Sequence, residues 1–260
     1  MTEKLKIATA LAALLVLPLT SACSDGSSSP GAAPSGTTAA GTGAPGTGPS
    51  RVVLLGDSVA GGQALPLGAA LAAGGVEFRS LASDGGGSVV GPVAEEVWTT
   101  LPARLEEARP GTVVYQITTY DWGAEKEQRA GYERLLDTVA GTGAKLVLVT
   151  MPPIKADDFY APHMKDLARA PQVARAVAEA SQGRATFLDA SDVWGTTYRR
   201  TRNGKVDRSS DGIHTCQQGA ARFTSWLLTE LTDLYPGFTP PSPEKWANTG
   251  WTGDDRFVGC

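Results

Sequence analysis

Two segments of this 260-residue chain, Val52-Val53-Leu54-Leu55 and Leu146-Val147-Leu148-Val149, are apolar at every position. A strand with one wet face alternates polar and apolar residues. Unbroken apolar runs instead predict strands covered on both faces, the hallmark of a parallel sheet between helical layers. Arg51–Leu55, Thr112–Ile117, Lys145–Thr150 and Ala185–Leu188 read as four such strands, and Val76–Leu81, which interleaves Glu77 and Arg79 with apolar neighbours, suits a sheet edge. Between them, Ala94–Ala108 and Glu125–Ala140 carry charges on one helical face, with Pro102 placed to break or kink the first. Cys216–Tyr235 sets Phe223, Leu227, Leu231 and Leu234 at three- and four-residue spacing, a stripe for packing onto the sheet. Strands alternating with helices predict an α/β fold with a doubly wound parallel sheet, whose sites form at the carboxyl ends of the strands.

The N-terminal 50 residues stand apart from that pattern. Lys4 and Lys6 precede a largely apolar stretch, Ile7–Leu19. It is shorter than the roughly 20 residues of a bilayer span, but it suits a signal-peptide core. Thr20-Ser21-Ala22-Cys23, following Leu19, resembles a bacterial lipobox, so residues 1–23 are expected to be a signal peptide with Cys23 as the lipidation site. An exported protein cleaved near Ala22 without a lipid is the other reading. Residues 24–50 are Gly, Ser, Thr, Pro or Ala apart from Asp25. Such a segment buries no core and is expected to be a disordered tether reaching on the order of 30 Å. Residues 51–260 then form one sizeable domain. The expected location is outside the cytoplasm, membrane-anchored if Cys23 is lipidated and secreted otherwise.

The chain carries a net charge of −4 and no extended basic cluster, which argues against nucleic acid as a partner. With Cys23 assigned to the anchor, Cys216 and Cys260 remain as an even pair in an exported domain, which predicts a disulfide. The two histidines, His163 and His214, lie far apart without clustered ligands, so no metal site is expected. Gly56–Gly62 follows a strand but lacks both a phosphate-loop lysine and Gly-x-Gly-x-x-Gly spacing, so no nucleotide or other cofactor is expected.

Ser58 follows the first strand by three residues and precedes the helical stretch Val59–Ala73. Backbone N–H groups at a helix start can stabilise a developing oxyanion, although Asp57 or Ser58 would also serve there as an ordinary helix cap. Asp211 stands three residues before His214, with Gly212 between them, just ahead of the last helix. One short loop can thus present a carboxylate and a base together. A serine nucleophile, a base and an orienting carboxylate are the parts of a serine hydrolase. His163, in the Pro- and charge-rich stretch Met151–Lys165, reads as a surface histidine.

Gly56-Asp57-Ser58-Val59 and Asp211-Gly212-Ile213-His214 resemble the first and last blocks of the SGNH (GDSL-type) hydrolases, and the resemblance covers most of residues 51–235. It implies a flavodoxin-like α/β/α sandwich with about five parallel strands, and ester hydrolysis or acyl transfer through an acyl-serine. Ser58 would be the nucleophile, His214 the general base and then acid, and Asp211 the residue orienting His214. The family's oxyanion hole uses the nucleophile's N–H, a glycine N–H after the second strand and an asparagine after the third. Gly85, in Gly85-Gly86-Gly87, is the match to that glycine that the resemblance implies, with the register open by one. Where the family reads Gly-x-Asn-Asp, this chain has Thr118-Thr119-Tyr120-Asp121. Tyr120 therefore occupies the asparagine position. Its hydroxyl could donate, Thr118 or Thr119 could donate instead, or the hole could be incomplete.

An ester-bearing small molecule, glycan or lipid is the expected substrate. An acyltransferase on envelope glycans or lipids uses the same residues, and a non-catalytic binding lipoprotein is the rival from another class. Trp122, near Tyr120, is a candidate acyl or sugar contact, whereas Trp246 and Trp251 in the tail are expected to pack.

Overall fold

The computed structural model describes residues 48–260; the expected signal peptide, Cys23 and nearly all of the expected tether lie outside the described residues. Five strands, β1 (Arg51–Leu55), β2 (Glu77–Ser80), β3 (Thr112–Gln116), β4 (Lys145–Val149) and β5 (Ala185–Leu188), form one sheet in the order β2-β1-β3-β4-β5. Every pairing in it is parallel. The helices are α1 (Ser58–Ala73), α2 (Ala94–Ala108), α3 (Glu125–Gly141), α4 (Met164–Ala180), α5 (Ser191–Trp194) and, after a small hairpin of β6 (Thr201–Arg202) and β7 (Lys205–Val206), α6 (Gln217–Leu234).

The unbroken apolar runs split between two cores because successive side chains of a strand point to opposite faces. Val53, Leu55, Val113, Tyr115, Leu146 and Leu148 face α2, α3 and α4, packing with Leu105, Leu135 and Val177. Val52, Leu54, Val114, Val147 and Val149 face α1 and α6, packing with Leu67, Leu71, Phe223, Leu227 and Leu231. Each fully buried Val or Leu contributes about 1.5–3 kcal/mol, so two dry faces explain why these strands carry no polar alternation. β2 lies at an edge as expected, with Glu77 exposed and bonded to Arg51.

Two features depart from the sequence expectations. α2 runs through Pro102 unbroken. α4 was not anticipated; its stripe of Leu167, Ala170, Val173, Ala174 and Val177 is small, and Pro171 interrupts it. Just ahead of β1, Pro49 is buried and Gly48 packs against Phe238.

With the order 2-1-3-4-5, α1 leaves β1 towards one face and α3 leaves β3 towards the other. The strands' carboxyl ends therefore splay apart between β1 and β3, the switch point where open α/β sheets place their ligands. Among the described residues, no helix is long and apolar enough to cross a membrane.

Candidate active site

The turn after β1 delivers Ser58 as the first residue of α1. Asp57 caps that helix, accepting the Val59 N–H through Oδ1 at 2.9 Å. Its other oxygen crosses the switch point to accept the Thr119 N–H and hydroxyl, each at 2.8 Å. Asp57 is therefore both a cap and the bolt between the ends of β1 and β3. It is only 1% exposed, and burial raises its pKa even though these bonds oppose the rise.

The segment after β2 comes against the same turn. Ser83 N–H donates to Gly56 O at 3.0 Å, and Gly87 lies so close that any Cβ there would strike the Gly56 carbonyl. Gly86 N–H bonds to Ser83 O at 3.3 Å. The Gly85 and Gly87 N–H groups of this loop make no such backbone bond.

The third component is the loop before α6. His214 Nε2 lies 2.8 Å from Ser58 Oγ, and its Nδ1 lies 2.8 Å from Asp211 Oδ2. Asp211 Oδ1 accepts the Ile213 and His214 N–H groups at 2.7 and 3.0 Å, and Ser209 Oγ donates to Oδ2 at 3.0 Å. Partial burial pushes the Asp211 pKa up, but the bonds from Ile213 and His214 outweigh it and hold the carboxyl down at about 2. Asp211 is thus a carboxylate throughout the neutral range, and it fixes the ring with Nδ1 protonated and Nε2 free to accept the serine proton. Gly212 makes this tight turn at φ +79°, where a Cβ would strike the Lys155 side chain. The three residues singled out by motif spacing meet as a Ser–His–Asp relay.

Thr118–Asp121 follows β3, and the structure narrows what that segment can do. Thr118 Oγ1 donates to Asp121 Oδ1 at 2.9 Å, and the Thr119 hydroxyl is committed to Asp57. Neither threonine hydroxyl is therefore free for an oxyanion, which leaves Tyr120 or an incomplete hole. The Tyr120 ring is half-buried, 5.5 Å from Trp122 and 6.4 Å from both Phe159 and Tyr160. Trp122 in turn stacks on His163 at 3.9 Å, so His163 is half-buried against an indole and not the free surface residue expected. This aromatic group abuts a small apolar cluster containing Val59 and Ile213, the neighbours of Ser58 and His214. Phe159 is 54% exposed, so the group forms an open rim beside the relay.

Sequence reasoning missed the residues that brace the relay. Arg208, 2% exposed, donates to Pro153 O and Ile213 O at 2.6 Å each and to His214 O at 3.3 Å, clamping the base loop to the segment after β4. Burial lowers its pKa to about 10, still charged at neutral pH. Asp121, fully buried, accepts the hydroxyls of Ser88, Thr118, Tyr115 and Tyr132, drawing the segments after β2 and β3 together over α3. Burial raises its pKa to about 6 against the lowering effect of those bonds. The Asp121 match to the family block was a signal for that position; a buried arginine has none. The tail tryptophans pack as expected, with Trp246 1% exposed in the α1–α6 core. Cys216 and Cys260 form the expected disulfide, their Cα atoms 5.6 Å apart. Among the described residues, no group of three His, Cys, Asp or Glu side chains converges on a common point.

No protein-family model and no curated protein matches the chain. Solved structures do. A protein from Slackia heliotrinireducens assigned as an SGNH hydrolase is 18% identical with a TM-score of 0.52, over 70% of this chain and 98% of its own. A protein of the G-D-S-L family from Desulfitobacterium hafniense gives 12% and 0.55, over 70% and 99%. An acetylxylan esterase from Geobacillus stearothermophilus gives 13% and 0.51, over 70% and 94%. The chain therefore has the SGNH-hydrolase fold.

Proposed function

We propose that this protein is a serine esterase working through an acyl-serine intermediate. The observation that carries the reading is the continuous relay Ser58 Oγ–His214–Asp211 at 2.8 Å per link, at the carboxyl edge of an SGNH-type sheet. His214 Nε2 takes the Ser58 proton as Oγ attacks the ester carbonyl, and the carbonyl π electrons move onto oxygen. The Ser58 N–H at the start of α1 and the Gly85 N–H receive that oxyanion, with the Tyr120 hydroxyl as third donor. Collapse breaks the ester C–O bond, and His214 returns the proton to the leaving alkoxide. Water then repeats the sequence on the acyl-serine and releases the acid.

Fold neighbours that include an acetylxylan esterase and a family 3 carbohydrate esterase favour acylated glycans as substrates. The open aromatic rim of Tyr120, Trp122 and Phe159 suits the flat face of a sugar ring. A signal peptide and lipidated Cys23 would place this activity at the outer face of the cell membrane. Acyl transfer to a glycan acceptor differs only in which hydroxyl resolves the acyl-serine.

The test is hydrolysis of short and medium p-nitrophenyl esters and of acetylated xylo-oligosaccharides by wild type and Ser58→Ala. Ser58→Ala should lower turnover by at least about 10³-fold. Equal turnover by both proteins would sink the reading, as would failure of a serine-directed phosphonate to label Ser58.

A further inference from the structure

The last seven residues, Asp254–Cys260, touch all three segments that build the relay. Arg256 Nη2 donates to Asp84 Oδ2 at 3.2 Å, at the start of the glycine loop. Arg256 Nε lies 3.3 Å from where a Cβ on Gly61 would stand, and the Phe257 ring lies 4.0 Å from that of Gly62. Both glycines sit within about a turn of Ser58 on α1, and together they leave the groove in which Arg256 and the buried Phe257 rest. The glycines that failed as a nucleotide motif thus have a structural use.

At its other end the segment lies on the base loop. Ser210 N–H donates to Gly259 O at 3.0 Å, and Val258 O lies 3.5 Å from Ser209 Oγ. Ser209 Oγ donates to Asp211 Oδ2, the oxygen that also holds His214 Nδ1. Gly259 sits flush on this pair: at φ +91°, its Cβ would stand 2.8 Å from Ser209 Oγ and 3.0 Å from Ser210 Oγ. The disulfide ties the segment down. Cys216 is buried two residues after His214, and Cys260 is exposed.

We propose that Asp254–Cys260 is a positioning strap: by seating Ser209 it holds the Asp211 carboxylate against His214, and the Cys216–Cys260 bond keeps the strap in place. The proposal rests on the serine-esterase reading. No strap residue touches the reacting atoms, so its effect falls on the rate of the chemical step and not on substrate binding. With the bond opened, one exposed ion pair, two contacts to the serines and the Phe257 ring hold Asp254–Cys260. A dithiol reductant, attacking from the exposed Cys260 side, delivers two electrons and two protons to the disulfide, becoming a cyclic disulfide itself and leaving Cys216 and Cys260 as thiols. Activity then depends on an oxidising surroundings.

The experiment uses the full chain and a short p-nitrophenyl ester, well below the unfolding temperature measured by circular dichroism. Wild type, Cys216→Ser with Cys260→Ser, Gly259→Ala and Ser58→Ala are compared, and wild type is assayed before reduction by dithiothreitol, after it, and after reoxidation. The strap predicts that kcat falls about tenfold in the double serine variant, in Gly259→Ala and in reduced wild type, with KM within twofold and recovery on reoxidation. Should the double variant fail to fold, Gly259→Ala keeps the disulfide and decides the question. Ser58-dependent turnover that is unchanged by Gly259→Ala and by reduction overturns the strap alone. Turnover that survives Ser58→Ala overturns the esterase reading instead.

Discussion

The Ser58 side of the relay is built into the sheet, whereas the His214 side is a loop held by its neighbours, and their carboxylates differ accordingly. Asp57 and Asp121 are buried at the ends of β1 and β3, bonded to amides and hydroxyls, and burial raises the pKa of each. Asp211 keeps 44% of its side chain exposed, accepts bonds from two N–H groups and an imidazole, and has a pKa near 2. Burial without a cationic partner destabilises charge, so the first pair are structural bolts whose charge costs stability. Substantial exposure with three N–H donors preserves charge, so Asp211 can orient a base. In the proposed esterase, the nucleophile needs a rigid seat at a helix start, while the base needs a ring poised at the surface, where substrate and water arrive.

The sharpest way to break this comparison is Asp211→Asn. The amide cannot hold Nδ1–H as a carboxylate does, so kcat should fall by about 10³–10⁴-fold. Because the side chain is well exposed, stability at pH 7 should change by no more than about 1 kcal/mol. The depressed Asp211 pKa contributes stability present above about pH 4 and lost as pH falls through about 2. Ester hydrolysis beside thermal melts checks both halves; a large melting shift with intact turnover would reverse the assignment.

A smaller but mixed effect is expected for Arg208→Met. Removing the guanidinium leaves the Pro153, Ile213 and His214 carbonyls without it, costing about 2–4 kcal/mol by urea unfolding. Residual activity should fall more than stability accounts for, because His214 loses its clamp. Full kcat in the folded variant would remove Arg208 from the base side of the comparison.

The smallest effect belongs to Asp121. Its folded pKa of about 6 exceeds the unfolded 3.8, so the native state binds its proton more tightly. The associated stability is full below about pH 4 and is lost as pH rises through about 6, by about 3 kcal/mol. Asp121→Asn should flatten that part of the stability profile by about 2–3 kcal/mol, while the contribution from Asp57 persists in both proteins. Urea unfolding at pH 4, 5, 6 and 7 reads the difference, and parallel profiles would show that the hydroxyl cage leaves Asp121 unshifted.

Much of the framework was legible because it is local. Four strands followed from short apolar runs, and the fifth, at the edge, from the mixed segment carrying Glu77 and Arg79. Asp211 and His214 lie three residues apart, so one turn brings them together. α4 was missed because an Ala-rich stripe interrupted by Pro171 gives a weak periodic signal. The spent threonine hydroxyls were also beyond reach, since Thr118 and Thr119 find Asp121 and Asp57 only after β1 and β3 pair.

The chain alone determined the strand-and-helix alternation, the Ser58 turn, the Asp211–His214 turn and the cysteine pair, because each depends on residues adjacent in sequence or on simple counting. Tertiary structure decided the rest. Ser58 meets His214 across 156 residues and Asp57 meets Thr119 across 62, while Arg208 finds its carbonyl on Pro153 and Asp254–Cys260 settles over the relay. Such contacts carry no local periodicity: most buried polar groups are hydrogen-bonded, and which partner each finds is set by the packing of strands and helices that brings distant segments together.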